Sequence, residues 1–195
     1  MSAVPVTGSS PVRVREVVWT DFDELREIYY HLYEERDRGD PIGITLYSEE
    51  RPSLADEVLW FAGGYRKVLM GEAVWSVAER DGHAVGSCEI HRLGATATSE
   101  QAHVGVLGIL VHADHRGTGV GSALLRHALT AAREKFEVVR LSVFSVNEGA
   151  RRLYERFGFR PSGHGPRAVK RGGTYFDEEE MILLFDDGAA APANH

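Results

Sequence analysis

The sequence predicts one mixed α/β domain, helices packed on a sheet, and three observations predict it. Residues 103–146 read as strand, glycine-rich turn, helix and strand in succession. Turn signals at Asp81-Gly82 and at Arg171-Gly172-Gly173-Thr174 mark a hairpin on either side of that unit. A chain of 195 residues that is 43% apolar has material for one sizeable core, and no apolar run approaches the roughly 20 residues needed to cross a bilayer. Residues 12–186 are therefore expected to form a single domain. Residues 1–11 and 187–195, with no periodic apolar pattern, are expected to be flexible termini.

Val12 to Val17 alternates as a strand does, and Thr20 or Asp21 is placed to cap a helix with Phe22, Leu25, Ile28, Tyr29 and Leu32 on its apolar face. That helix is expected to stop near Gly39. Gly39 to Pro52 is irregular and reads either as substrate-contacting chain or as plain connection. A second helix is expected from about Ser53 to Phe61, ended by Gly63-Gly64. Ala73–Ala78 and Ala84–His91 form the first hairpin. His103–Val111 is mostly apolar and rich in β-branched residues, as a strand covered on both faces should be. From Thr118 onward, Val120, Leu124, Leu125, Ala128, Leu129 and Ala132 follow helical spacing, and Val138–Val146 reads as a buried strand. Ala150, Leu153, Tyr154 and Phe157 then line one helix face that Gly158 ends, and residues 159–185 close the sheet with the second hairpin.

Composition excludes several classes. A formal net charge of −7 repels phosphate backbones, so nucleic acid is not an expected partner. The chain's one cysteine, Cys88, cannot form an internal disulfide, and the first eleven residues lack the basic start and apolar block of a signal peptide. These features point to a cytoplasmic, soluble protein with no membrane partner. His112 and His115 read as cap or phosphate contacts, and no second pair at metal spacing accompanies them, so no metal is expected.

The segment Arg116-Gly117-Thr118-Gly119-Val120-Gly121-Ser122 joins a strand to a helix. Its N–H groups and the positive helix end can converge on a phosphate, with glycines allowing close approach. Ser122 stands where a dinucleotide-binding turn needs its third glycine, and the turn has no lysine as a P-loop would. Taken alone, the turn is an anion cradle or merely a tight connection, and Arg116 is a phosphate-loop cation or a solvated surface charge.

The run Val111 to Gly121, with Arg116, Gly119 and Gly121 at its fixed positions, resembles the acetyl-CoA signature of the GNAT superfamily of N-acetyltransferases. About twenty-five residues later, Asn147, Ala150, Leu153, Tyr154, Gly158 and Phe159 fill every position of what resembles the superfamily's second signature. More weakly, residues 165–181 are similar to the end of members that act on amino acids. The resemblance implies a mixed, mostly antiparallel sheet flanked by helices and splayed between two central strands, with the pantetheine arm lying in the gap. It implies that Leu110 and Val111 offer backbone groups to that arm, that Asn147 reaches the cosubstrate, and that Tyr154 protonates the departing thiolate. Gly117, Thr118, Val120 and Ser122 complete the expected cofactor-binding set. Acetyl-CoA is the implied cosubstrate, a primary amine the implied acceptor, and a homodimer the family's habit.

Each residue also has a plainer reading: Tyr154 as a core aromatic, Asn147 as a helix N-cap. The base is the open question, because Gly105 stands where some members carry a glutamate. Glu89 on the neighbouring strand and His103 at the start of the cradle strand are the candidates, since an alkyl ammonium with a pKa near 10.4 must lose a proton before it attacks. The leading expectation is direct transfer to an amino acid or small-molecule amine. A protein N-terminus or lysine is the second acceptor class, and a non-catalytic acyl-CoA-binding regulatory domain is the reading from another class.

Overall fold

The structure is a computed structural model that describes residues 10–39, 43–46, 48–94 and 96–185. The expectation of loose ends falls mainly on residues 1–9 and 187–195, outside that range. Along the chain run β1 (Arg13–Glu16), α1 (Phe22–Asp37), α2 (Leu54–Leu69), β2 (Ala73–Arg80), β3 (His83–Arg92), β4 (Val104–Val111), α3 (Val120–Ala132), β5 (Val138–Phe144), α4 (Glu148–Arg156), β6 (Arg160–Arg171) and β7 (Thr174–Leu184). Short 3-10 turns at Trp19–Asp21 and Ala113–His115 lead towards α1 and α3.

Two local expectations change. Asp21 occupies the N-cap position of α1 without making a cap bond. Its carboxylate is instead taken by both terminal nitrogens of Arg15, at 2.7 Å each, and by the Val18 N–H. The second helix does not stop at Gly63-Gly64 but runs to Leu69. Ser53 and Asp56 cap it reciprocally. A Cβ on Gly64 would lie 2.8 Å from the ring of Trp75, so that glycine lets the helix approach β2 rather than ending it. Packing outweighs the small helix penalty of glycine here, about 1 kcal/mol.

The strands form one sheet in the order β1-β2-β3-β4-β5-β7-β6. Every neighbouring pair is antiparallel except β4 with β5. One face buries Cys88, Ile90, Leu107, Val139 and Met181 against Leu124, Leu125 and Ala128 of α3. The other buries Trp75 and Val77 against Leu25 and Ile28 of α1 and Phe61 of α2. Each large apolar side chain so covered contributes about 1.5–3 kcal/mol.

The parallel β4–β5 ladder joins only Val104–Val106 to Val138–Arg140. Beyond it β4 stays with β3 as far as Val111, opposite Gly86, while β5 stays with β7 as far as Phe144, opposite Glu178. With no β4–β5 pairing beyond Val106 and Arg140, nothing holds the two strands together against the twist of the sheet. The sheet therefore opens between Leu107–Val111 and Leu141–Phe144.

Candidate functional site

The opening leads into a cleft of about 1210 Å³. Ile109, Leu110 and Val111 of β4 line it together with Arg116, Val146 and Asn147. Leu32 and Arg36 of α1, Gly43, Ile44 and Leu46 of the α1–α2 connection, and Val169, Arg171 and Phe176 of the last hairpin complete the lining.

Ladder alternation decides which backbone groups face the gap. His112 N–H donates to the Val85 carbonyl and Leu93 N–H to the Val104 carbonyl. Even-numbered positions of β4 thus bond to β3, and Leu110 is paired with Ser87. Ile109 and Val111 turn their main-chain groups towards the gap. Of the expected pair Leu110 and Val111, Val111 is placed for a strand-like ligand, and Ile109 takes the place expected of Leu110.

The turn after β4 has the geometry of an anion cradle. Gly117 and Gly119 hold φ of 73° and 91°, in the left-handed region that favours glycine. Gly119 is the N-cap of α3, no side chain caps the helix, and no acidic residue stands in its first turn. The first N–H groups and the positive helix end are thus left to an external acceptor. Thr118 is held from below, its hydroxyl donating to the His115 carbonyl at 2.8 Å and accepting from Arg80 at 3.2 Å. Arg80, only 9% exposed at the end of β2, is a cation beneath the cradle that the sequence reading missed. It lies outside the motif and has no local pattern to betray it. His112 caps the turn through the Asp114 N–H, as its position suggested.

Other members of the expected set take different parts. Arg116 grips the buried Glu35 of α1 with both terminal nitrogens, at 2.6 and 2.9 Å, and donates from Nε to the Val111 carbonyl at 3.0 Å. It ties turn, helix and strand together. A Cβ on Gly121 would lie 3.1 Å from Leu153, so this glycine lets α3 approach α4. The Val120 side chain is in the core, 1% exposed, which leaves its N–H to the cradle; Ser122 follows it in the first turn of α3.

Asn147 caps α4, its Oδ1 accepting from the Ala150 N–H at 3.1 Å, while Nδ2 donates to the Gly43 carbonyl at 3.4 Å. Tyr154 is 6% exposed, in the core cluster on the α3 face and edge-on to Phe159. Burial pushes its phenol well above the ordinary value, with nearby Cys88 adding to the effect, so it stays protonated. Tyr154 does not line the cleft.

Glu89 is opposite Gly108 of β4, on the α1–α2 side of the sheet. A Cβ on Gly108 would lie 3.6 Å from Glu89 Oε1, so the glycine leaves the carboxyl beside the central strand. Burial raises the Glu89 pKa, and Lys67 of α2 opposes the rise. Burial also lowers that of His91 on the same face, with Lys67 assisting. His103 lies elsewhere. It is exposed before β4, at the end where β4 and β5 are joined, and its carbonyl accepts from Glu137 and Val138. Seven residues of extended chain, about 23 Å, separate it from Leu110. The Gly105 position faces Ile90 and Phe136 in the core, where a side chain would meet Ile90 at 2.7 Å.

Among the described residues no His, Cys, Asp or Glu group is arranged to hold a metal, and no helix is long and apolar enough to cross a membrane.

Comparison with known proteins agrees with this architecture. The model of a family described as the Acetyltransferase (GNAT) family matches residues 13–159. Over 110 residues the chain is 32% identical to the L-amino acid N-acetyltransferase AaaT of Escherichia coli, covering 55% of this chain and 66% of that protein. Over 151 residues it is 29% identical to the uncharacterized N-acetyltransferase MJ1207 of Methanocaldococcus jannaschii, covering 75% of this chain and 59% of that protein. The matches thus span less than two thirds of either relative. The fold superposes on the yncA acetyltransferase of Salmonella typhimurium, solved with acetyl-CoA, at a TM-score of 0.77 and 21% identity, over 94% of this chain and 99% of that one.

Proposed function

Because the chain belongs to the GNAT family of acetyltransferases, we propose that it transfers the acetyl group of acetyl-CoA directly to a primary amine, an amino acid or another small-molecule amine. The observation that carries the reading is the open edge of β4 leading into the uncapped start of α3. It joins a strand-shaped slot for the amides of pantetheine to a cradle for the pyrophosphate. The identity with an L-amino acid N-acetyltransferase supports the acceptor class.

The residues divide the work as follows. The first-turn N–H groups of α3 hold the pyrophosphate, and the gap-facing groups of Ile109 and Val111 align the pantetheine arm. Main-chain N–H groups on that edge also stabilise charge developing on the thioester oxygen, which fixed donors do without reorganising. Glu89, its pKa raised by burial so that its carboxylate is a stronger base, takes the amine proton directly or through water. Tyr154, held protonated, donates to the leaving thiolate. Cys88 forms no acyl intermediate: it is 0% exposed, and burial pushes its thiol far above the usual range.

The first test is the thermal midpoint with acetyl-CoA, with coenzyme A and with NAD. Binding at a hundredfold excess over the dissociation constant adds about 2.7 kcal/mol. A rise with the two coenzyme A species and none with NAD is expected; equal or absent shifts would remove the assignment. Release of coenzyme A with a panel of amines then tests the transfer.

A further inference from the structure

A folded chain holds a charge away from water only where another group answers it. Among the described residues the buried charged side chains are Asp21, Glu35, Glu57 and Arg80. Arg15 answers Asp21, and Arg116 answers Glu35. Glu57 is pushed towards its neutral form by burial, with Arg26 opposing. Arg80, 9% exposed, has neither remedy. A guanidinium does not give up its proton in a protein. Nη1 of Arg80 donates to Thr118 Oγ1 at 3.2 Å and to His115 Nδ1 at 3.3 Å, while its Nε is buried without a partner among the described residues. Because arginine only donates, the His115 Nδ1 accepts, which is the neutral tautomer with its proton on Nε2. Both partners of Arg80 are therefore uncharged, and no described carboxylate pairs with it.

Those two partners belong to the turn that builds the cradle. His115 ends the 3-10 turn after β4, and Thr118 precedes Gly119, the N-cap of α3. Arg80 is the last residue of β2, a strand that contributes nothing to the cleft lining. Arg116, the cation supplied by the turn itself, is compensated by Glu35. Asp114 of the same turn is 84% exposed and lies beside His112. A buried cation with no counter-ion thus stands directly under an uncapped helix start, and both favour an anion in the same place.

We propose that Arg80 is a positioning residue for the cosubstrate: it holds the turn from below and supplies, from inside the protein, the positive charge that the pyrophosphate of acetyl-CoA neutralises across Thr118. This rests on the acetyl-CoA-binding reading and adds to it a residue outside both sequence motifs. In the free protein the charge costs stability, and bound phosphates remove that cost. Solvent weakens an attraction through the protein interior less than one across its surface.

Calorimetry with acetyl-CoA and with 3′-dephospho-coenzyme A tests this in Arg80→Met, Arg80→Gln and Arg80→Lys, beside the thermal midpoint of each free protein. Affinity should follow charge rather than shape. Arg80→Met and Arg80→Gln should each bind both ligands about tenfold or more weakly than wild type, and Arg80→Lys should keep most of the affinity. Free Arg80→Met should melt no lower than wild type, because an apolar chain replaces an unanswered charge and water reaches the acceptors it leaves on the exposed Thr118 and the half-buried His115. Wild-type affinity in Arg80→Gln, or a loss in Arg80→Lys as large as that in Arg80→Gln, overturns the proposal. So does a loss confined to acetyl-CoA, which would assign the charge to the 3′-phosphate. A lower free-state midpoint in Arg80→Met with unchanged affinity would make Arg80 a strut. Absence of binding by the wild type removes the cosubstrate reading itself, whereas binding without coenzyme A release to any amine sinks the transfer step and leaves the role of Arg80 standing.

Discussion

On the β4 side the cleft wall is main chain: the gap edge of Ile109 and Val111, then the left-handed Gly117 and Gly119 and the start of α3. Between the end of α1 and the last hairpin the wall is side chains, with Arg36 and Arg171 held by aromatic rings and carbonyls. A main-chain site demands particular residues at fixed spacing, because only certain residues permit its dihedrals and close approaches. A side-chain site can be assembled from any segments the fold brings together. The first kind fits a cosubstrate common to a family, and the second lets the acceptor differ between relatives.

The largest expected effect separates chemistry from cosubstrate binding. Glu89→Gln should lower turnover about a hundredfold, as loss of a general base does, with acetyl-CoA affinity unchanged. The wild-type pH profile should lose activity as pH falls through a Glu89 pKa above the ordinary carboxylate range, and the variant should lack that limb. Stability runs the other way. With its pKa raised on folding, Glu89 binds more protons in the folded than in the unfolded state, so its contribution is present at low pH and fades as pH rises. Glu89→Gln should therefore melt higher than wild type near neutral pH and not at low pH. If it loses stability at neutral pH and keeps its turnover, the carboxyl is structural.

The next effect breaks the main-chain half alone. A Cβ on Gly119 meets nothing within 4 Å, so a substitution there costs only the strain of φ 91°, about 1–3 kcal/mol. Gly119→Val should weaken acetyl-CoA binding about tenfold or more, measured by calorimetry, with the thermal midpoint of the free protein lowered only slightly. Retained affinity would mean that the cradle is only a connection.

This contrast also accounts for what could be read from sequence. The order of elements was legible, because hydrophobic period and turn chemistry are local: Asp81-Gly82 and Gly172-Gly173 turn the two hairpins where their residue types require. Gly64 misled because the ring of Trp75 above it belongs to another element. That Ile109 rather than Leu110 faces the gap is invisible in sequence, because main-chain direction depends on the β3 register. His103 has suitable chemistry but lies at the joined end of β4 and β5, and no local pattern says at which end two strands part. Neither sequence expectation for Arg116, phosphate-loop cation or solvated surface charge, includes the Glu35 pairing, because that partner lies far back in the sequence. Its role is itself testable: Glu35→Ala should lower stability by about 1–3 kcal/mol, the partial exposure of Arg116 softening the loss. If Arg116 is a strut, acetyl-CoA affinity falls with it; tighter binding would show that the freed guanidinium reaches phosphate.

The smallest effect is expected at Tyr154. A coenzyme A thiolate, with a thiol pKa around 8.5, is already a good leaving group near neutral pH, so a proton donor lowers the barrier only modestly. The phenol is held protonated by burial and sits in the core beside Phe159. Tyr154→Phe preserves that packing and removes only the hydroxyl, so stability and acetyl-CoA affinity should change little while turnover falls severalfold. The readout that a packing role would not move is the split between kcat and the acetyl-CoA KM. A fall in kcat at constant KM places the hydroxyl at the thiolate, whereas unchanged turnover would leave Tyr154 as a core aromatic and require another donor on the gap side of β4.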